Sequence, residues 1–429
     1  MTGFQREQWQ RLRIHVLPTD RFKTFAISVY IGYPLSGDDA ITKNALIPFV
    51  LRRGTARMPD TKTFREKLDD MYGAGFGFDI TKRGDYQLVH FHMDTIHDRY
   101  VSDSRPLLAE SLQYLGEALT RPALENGRFR AKYVADEKNT LEKRIQAIIN
   151  DKIRYAAERC MEEMFRGEPY GNHPLGKLED LPAIDPESLY RQYKHWLASA
   201  CIDVYVCGQT TMEEVAPLIR QYFPLEGDKP AVYRTQVSAR RQREVRKVTE
   251  ELDVSQGKLN IGLRAPVTYA DDLYPAALVY NGILGGYPHS KLFINVREKA
   301  SLAYYAASRL DGHKGIITIQ SGIEFSKYDQ ALSIILEQLD SIRRGEISEL
   351  EWNQTKAMIA NQLRELQDSA LGIANFDFNS IVSGRERTAD SLIRDVEAVT
   401  PEDVRKVAEL VEPDTIYFLR NREEGGAGA

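Results

Sequence analysis

The sequence predicts an α+β protein with two homologous domains, each a mostly antiparallel sheet packed with helices. Its length of 429 residues exceeds what one hydrophobic core usually serves. One stretch recurs in the second half, and alternating strands are followed by runs of helices in both halves. We place an N-terminal domain at 1–225, a charged, proline-containing linker at 226–249 and a C-terminal domain at 250–429.

The repeat is visible in two stretches that carry the same residues at a constant spacing. TFREKLDDMYGAGF in the first half matches NVREKASLAYYAAS in the second. Arg65 lies 232 positions before Arg297, and Tyr72 lies 232 positions before Tyr304. Upstream, the acidic pairs of YPLSGDDA and VTYADDLY correspond at an offset of 233. Such constancy indicates a duplicated domain.

Residue periodicity gives the order of elements in each half. TFAISVYIGY and YQLVHFHMD alternate as half-buried strands do, and KNALIPFVLRR is typical of a short buried helix. A stretch without proline or glycine at 128–166 predicts the longest helix, with a counterpart near LEWNQTKAMIANQLREL. Asp185 and Thr400, each followed by a proline, predict two helix starts that lead to the strands DVYVCG and TIYFLR.

Composition and charge exclude several partners. The net charge is −5, and 42% apolar with 28% charged residues is ordinary globular usage. We therefore expect no nucleic acid partner, and we interpret the basic run SARRQREVRK as solvated linker. Neither a signal-peptide pattern nor an apolar run of about 18 residues is present. The expectation is a soluble, cytoplasmic protein with no membrane partner.

The cysteines give no sign of a disulfide framework or a cysteine zinc site. Cys160, Cys201 and Cys207 are odd in number and lack C-x-x-C spacing. We predict that all three are small buried apolar groups. This agrees with a cytoplasmic setting.

Arg297 and Tyr304 are the first candidates for chemistry. They are seven positions apart, so a helix would place them two turns apart on one face. Both are hydrogen-bond donors, which could hold a peptide carbonyl or an oxyanion. Spacing alone is a weak signal, since an exposed arginine and an interface tyrosine give the same pattern.

The surroundings of this pair make the signal more specific. NGILGGYPHSKLFINVREKASLAYYAAS, the preceding APVTYADDLYPAALVYNGILGG and the first-half YGNHPLGKLEDL together resemble the pitrilysin/insulinase family of zinc metallopeptidases, short bacterial type. The resemblance implies a mitochondrial processing peptidase-like or LuxS-like metallohydrolase fold. It also implies that Arg297 and Tyr304 contact the substrate backbone, with Gly285 and Gly286 in the adjoining substrate-binding loop.

The zinc motif of that family is missing here. The motif is H-x-x-E-H, in which two histidines bind the metal and the glutamate is the general base. ALIPFVLRRGT fills its place, so Ala45, Pro48 and Phe49 occupy the expected positions and this chain is expected to bind no metal there. Glu137 lies near the position of the family's downstream glutamate ligand. Without the histidines, we interpret Glu137 as a charge on a helix surface.

Other histidines and glycines give weaker signals. His90 and His92 have the H-x-H spacing of zinc ligands on a strand, with His97 just beyond, but core or solvent positions explain them as well. His173 and His289 are isolated loop residues that we do not expect to bind metal. The glycines of YGAGFGFD lie inside the first repeat, where they fit a tight helix-to-strand bend. No nucleotide-binding or serine-hydrolase motif is present.

A chain that keeps the substrate pair but lacks the metal triad resembles the non-catalytic subunit of a two-chain peptidase. We therefore expect a zinc-bearing homologous partner of similar length and a composite site that cleaves peptides, for example leader segments. Zinc belongs to the partner in this hypothesis, and Arg65 and Tyr72 are structural. The alternative is a catalytically inert peptide-binding or assembly subunit; an independent metalloenzyme using His90 and His92 is a third hypothesis. Homodimer and heterodimer both stay open.

Overall fold

The computed structural model describes residues 3–35, 39–103, 105–227, 229–234 and 244–422. Asp38 of the repeated acidic pair and residues 238–243 of the basic run lie outside these ranges. In chain order, the first half contains β1 Gln5–Trp9, β2 Leu12–Pro18, β3 Thr24–Pro34, α1 Ala40–Leu51, α2 Thr61–Asp70, β4 Gly75–Arg83, β5 Tyr86–Ile96, α3 Leu107–Thr120, β6 Leu124–Glu125, β7 Arg128–Phe129, α4 Ala131–Asn150, α5 Lys152–Met164, α6 Pro186–Ser199, β8 Cys201–Gly208 and α7 Met212–Tyr222.

The second half begins with a strand inside the segment predicted to be linker. Its elements are β9 Arg246–Glu251, β10 Gly257–Arg264, α8 Tyr274–Asn281, two π-helical segments at Gly282–Gly286 and Phe293–Lys299, β11 Ala303–Asp311, β12 Ile316–Ile323, α9 Tyr328–Arg343, α10 Glu349–Leu366, α11 Ala370–Ser383, α12 Ala389–Ala398, α13 Pro401–Leu410 and β13 Glu412–Arg420.

The duplication is present in the sheet topology. One sheet has the order β1-β2-β8-β3-β5-β4, and the other has the order β9-β13-β10-β12-β11 when read from its far edge. Strands β2 and β8 are parallel, as are β9 and β13, and the remaining neighbours are antiparallel in both sheets. Strand β1 is the one addition. The predicted α+β fold with two homologous sheets is confirmed.

The chain divides into two compact units, and neither is continuous in sequence. The first unit contains Met1–Gln146, Asn172–Arg234 and Asp368–Phe378, and the second contains Ala147–Gly171, Thr235–Gln367 and Asn379–Ala429. The predicted segments 1–225 and 250–429 follow the linear order of the chain. Residues 147–171 belong to the second unit because α5 packs on β10 and β13 of the second sheet.

The predicted longest helix is interrupted at Asp151. The chain forms α4 and then α5, because the Asp151 side chain accepts hydrogen bonds from the backbone N–H groups of Ile153 and Arg154 at 3.1 and 3.2 Å. An aspartate that satisfies the first N–H groups of a new helix competes with continuation of the old one. The prediction of one helix over 128–166 was therefore wrong, although the apolar periodicity was real.

The two predicted helix starts are confirmed. Asp185 accepts from the N–H of Ser188 at 3.0 Å, and Thr400 accepts from the N–H of Asp403 at 3.3 Å. Each cap is followed by a proline in the first turn, where a missing N–H has no intrahelical partner to lose. Each helix leads directly into a strand, β8 or β13.

The three cysteines are buried and free, as predicted. Burial raises the pKa of Cys201 to about 11 and that of Cys160 to about 12. Both thiols are therefore protonated and unreactive at neutral pH. Among the helices of the described ranges, none is long and apolar enough to cross a membrane.

A buried ion pair links β2 to β8 in the first unit. Asp203 is fully buried and accepts from Arg13 Nε and Nη2, both at 2.6 Å, and lies 2.9 Å from His15 Nε2. Burial by itself would raise the pKa of Asp203, but the hydrogen bonds from Arg13 and His15 outweigh it and hold that pKa below its usual value. The paired carboxylate thus fixes the register of two central strands.

We predict that Asp203→Asn lowers the free energy of unfolding by about 3–5 kcal/mol, because a neutral side chain at this fully buried position no longer balances the half-buried Arg13 cation. Chemical denaturation followed by circular dichroism measures the change. Asp368→Asn is the control, since Asp368 is exposed and its pair with Arg21 is 3.5 Å long; a change within about 0.5 kcal/mol is expected. Equal losses in both variants would contradict the importance of the buried pair.

Candidate functional site

The three residues at the zinc-motif positions lie on α1 and are buried. Ala45 and Phe49 are 0% exposed, and Pro48 is also buried. Helix α1 is buried on nearly every side, which explains why its apolar residues follow no amphipathic period. None of the three side chains has an atom that binds zinc or accepts a proton.

The ring of Phe49 is packed between an aromatic neighbour and two arginines. It meets Phe78 of β4 edge to face, with the ring centroids 4.9 Å apart. The guanidinium carbon of Arg144 lies 4.8 Å from the Phe49 centroid, and that of Arg52 lies 5.2 Å from it. Such contacts are favourable between a cation and an aromatic face. An aromatic ring flanked by two arginines thus occupies the position at which the family's zinc motif has a histidine.

Glu137 is buried, so its interpretation as a charge on a helix surface was wrong. Only 2% of its side chain is exposed. Arg52 donates to Glu137 Oε2 at 3.2 Å, and Arg53 donates to Glu137 Oε1 at 3.1 Å. Arg53 also donates to Asp136 at 3.1 Å. A buried carboxylate requires such partners, and here arginines supply the positive charge.

These residues border a cleft of about 300 Å³ in the first unit. Helices α2 and α4, strand β4 and the two residues that follow α1 contribute its walls. The cleft is lined by Arg52, Arg53, Thr61, Phe64, Arg65, Leu68, Phe76, Gly77, Phe78, Glu137 and Arg144. The donor set does not fit zinc, because one carboxylate already engaged by two arginines is the only metal-binding group among the lining residues.

His90 and His92 lie on one face of β5, as predicted, but they form no recognisable metal site. His90 stacks on Tyr30 at 4.2 Å, and burial, followed by the charges of His92 and Arg83, lowers its pKa to about 3. His92 Nε2 lies 3.6 Å from Asp79. No cluster of three or more His, Cys, Asp or Glu within the described residues could hold a metal ion.

The remaining histidines have structural contacts. His97 accepts from the N–H of Arg99 at 3.1 Å and begins a short helical turn. His173 accepts from the N–H of Leu175 at 3.1 Å within its loop. His289 Nε2 lies 2.9 Å from the hydroxyl of Thr355.

Arg297 and Tyr304 lie on different elements, so the condition of a continuous helix, under which they would share one face, is not met. Arg297 belongs to the π-helical segment Phe293–Lys299, which ends because Ser301 adopts φ of +50°. Tyr304 lies in strand β11, which packs against that segment. Arg297 is exposed, and its guanidinium carbon lies 4.4 Å from the centroid of Phe293.

Tyr304 occupies a bulge on an edge strand. Ala303 pairs with Ile323 and Tyr305 pairs with Gly322, so Tyr304 has no residue opposite it. Its side chain is 69% exposed, and β11 is the last strand of its sheet. Bulges at sheet edges redirect side chains. Here the bulge turns a phenol outward on the last strand of the sheet.

Gly285 and Gly286 differ in their surroundings. Gly285 is buried, and a Cβ there would lie 2.6 Å from the backbone nitrogen of Ser308 on β11. Only glycine allows this close approach. Gly286 is exposed, with a Cβ position 3.2 Å from the Asn281 carbonyl oxygen. Gly285 therefore packs the helical segment onto β11, whereas Gly286 lies at the surface.

The first-half counterparts of the pair also occupy different environments. Tyr72 is 47% exposed, and its hydroxyl donates to Asp103. Arg65 is exposed and lines the cleft. Sequence reasoning named Arg65 only as structural and missed Arg52, Arg53 and Arg144 as residues of a cleft. The adjacent arginines of VLRRGT were a signal, but Arg144 comes near them only through tertiary packing.

Comparison with known proteins places the chain in a family. The sequence profile described as peptidase M16 inactive domain matches residues 183–359. A probable inactive metalloprotease, YmfF of Bacillus subtilis, is 41% identical over 412 residues, covering 96% of each chain. The chain belongs to the peptidase M16 family. The resemblance to pitrilysin/insulinase metallopeptidases is thus confirmed, for a member that lacks the zinc motif.

Solved structures agree with this membership. A conserved protein from Enterococcus faecalis is 31% identical, with a TM-score of 0.91, over 99% of this chain and 100% of that chain. The peptidase M16 inactive domain structure from Pseudomonas fluorescens has a TM-score of 0.80 over 98% and 99% of the two chains. At 16% identity, the latter shows the M16 fold alone.

We predict that Glu137→Gln lowers the free energy of unfolding by about 1–3 kcal/mol, because two charged hydrogen bonds are weakened where the side chain is buried. Thermal and chemical denaturation measure the loss. Glu142→Gln is the matched control on the same helix, since Glu142 is exposed and accepts only from Gln146 at 3.2 Å. A loss no larger than that of the control would contradict the buried ion pair.

Proposed function

We propose that this M16 chain is the non-zinc subunit of a two-chain peptidase and contributes Arg297 and Tyr304 to a composite site. The observation that carries the proposal is Tyr304, an exposed phenol at a bulge of the edge strand β11. Bulges are over-represented at sheet edges and next to active sites, where they redirect a side chain. A zinc-bearing homologous subunit is the proposed partner, and it supplies the metal-activated water.

Both side chains are available to a substrate. Within the described residues, nothing hydrogen-bonds to the Tyr304 hydroxyl, and no carboxylate lies at ion-pair distance from Arg297. The stacking of Arg297 on Phe293 restricts the guanidinium while its N–H groups stay free to donate. In the proposed site, Tyr304 donates to the developing oxyanion and Arg297 orients the substrate carbonyl.

The edge of β11 supplies the means of binding. Its outer backbone groups have no strand partner among the described residues, so an extended peptide can add to the sheet there. Backbone pairing recognises the main chain of a bound peptide more than its side chains. Such recognition suits a peptidase that cleaves varied peptides or leader segments. The same surface would serve an inert peptide-binding subunit, and the two functions differ only in whether cleavage depends on Arg297 and Tyr304.

We expect peptide cleavage only when this chain is mixed with an H-x-x-E-H-bearing relative encoded nearby, with each chain inactive alone. Tyr304→Phe and Arg297→Ala should each lower kcat/KM roughly 10- to 1000-fold, as loss of an oxyanion donor does. A fluorogenic peptide library, including leader-like peptides, provides the measurement.

Two matched variants control this experiment. Tyr72→Phe alters the repeat counterpart of Tyr304, and Arg344→Ala removes an arginine that pairs with Glu337 and Glu346 on the surface. Both should keep full activity in the mixture. Full activity of Tyr304→Phe and Arg297→Ala would leave the inert peptide-binding subunit as the better description. An inactive mixture would overturn the two-chain peptidase.

A further inference from the structure

The cleft of the first unit contains four arginines, although the chain carries a net charge of −5. They are Arg52 and Arg53 after α1, Arg65 of α2 and Arg144 of α4. We propose that this cleft binds the carboxylate groups of an acidic peptide segment that lies along β4.

The positive charge of the cleft is only partly balanced. Glu137 is the one acidic residue that lines it, and Asp136 also pairs with Arg53. Four guanidinium groups against two carboxylates leave an excess of two positive charges. Within the described residues, no carboxylate lies at ion-pair distance from Arg65 or Arg144. An external anion would therefore find unpaired donors at these two side chains.

Two of the arginines are held in orientation before any ligand binds. Arg144 lies over Phe49 at 4.8 Å, and Arg52 lies over both Phe49 at 5.2 Å and Phe78 at 5.7 Å. Stacking engages the flat face of a guanidinium and leaves the N–H groups at its rim. That rim matches the two oxygens of a carboxylate. Preorganisation lowers the entropy lost on binding.

The buried Glu137 fixes the other side of the cleft. It holds Arg52 and Arg53 through separate carboxylate oxygens, at 3.2 and 3.1 Å. Glu137 is 2% exposed, and each of its oxygens already accepts from an arginine. Its effect is to keep two cations beside the cleft. We therefore regard Glu137 as a positioning residue.

A peptide fits this site better than other anions. Strand β4 contributes Phe76, Gly77 and Phe78 to the cleft and is the last strand of its sheet. An extended peptide can pair with its free edge while an acidic side chain reaches the arginines. The half-buried rings of Phe76 and Phe78 offer apolar contact to neighbouring residues. A long polyanion would instead meet a chain with net negative charge.

This inference does not rest on the proposed peptidase function. All lining residues of the cleft belong to the first unit, whereas Arg297 and Tyr304 belong to the second. Binding can be measured on the isolated full-length chain, without a partner subunit and without cleavage. Failure of either proposal therefore leaves the other one standing.

Fluorescence anisotropy with a labelled peptide of alternating threonine and glutamate tests the proposal. The reference is the same peptide with glutamine in place of every glutamate. We expect the acidic peptide to bind the full chain at least about tenfold more tightly at low salt, with the difference shrinking as salt screens the charges. Equal affinity for the two peptides would overturn the proposal without any variant.

Arg65→Gln and Arg144→Gln should each weaken binding of the acidic peptide about tenfold, as expected for a lost charged hydrogen bond. Both side chains are exposed, so the variants should fold, and thermal melting checks this. Arg344→Gln is the control and should leave affinity unchanged. Unchanged affinity in both cleft variants would overturn the assignment. Tighter binding of a single-stranded oligonucleotide, or full displacement by equimolar inorganic phosphate, would also overturn the peptide as ligand.

Discussion

A carboxylate that has lost nearly all contact with water needs charged hydrogen-bond partners, and Glu137 obtains them from Arg52 and Arg53. Those two arginines follow α1 directly, so the ion pair ties the end of α1 to α4. With the arginines fixed, Arg52 stacks on Phe49, and the walls of the cleft are determined. The character of this surface follows from one buried charge.

The need of buried Glu137 for positively charged partners also explains why this member of a metallopeptidase family has no residues that fit zinc. Zinc would supply positive charge to carboxylate and imidazole ligands. In this chain guanidinium groups supply that charge. The apolar side chains of Ala45, Pro48 and Phe49 are buried at the three positions of the zinc motif. Introducing the zinc motif into α1 would place a histidine at position 49 beside Arg52 and Arg144, which repel a divalent cation.

The duplicated sheets have a further consequence. Strands β4 and β11 occupy equivalent edge positions in their sheets, and each lies next to arginine side chains. In the first unit those are the cleft arginines, and in the second the neighbour is Arg297 with Tyr304. The two proposals therefore assign a different chemistry to each copy of this edge. The proposed binding of acidic peptide concerns one edge, and the proposed composite peptidase concerns the other.

The sequence by itself determined the duplicated α+β fold, the caps at Asp185 and Thr400 and the loss of the zinc motif, because periodicity, capping chemistry and motif positions are local. Tertiary structure decided the rest. The break at Asp151 competes with an otherwise continuous apolar pattern, and the burial of Glu137 depends on arginines 84 and 85 positions away. The separation of Arg297 from Tyr304 follows from the left-handed turn at Ser301, which residue spacing does not reveal.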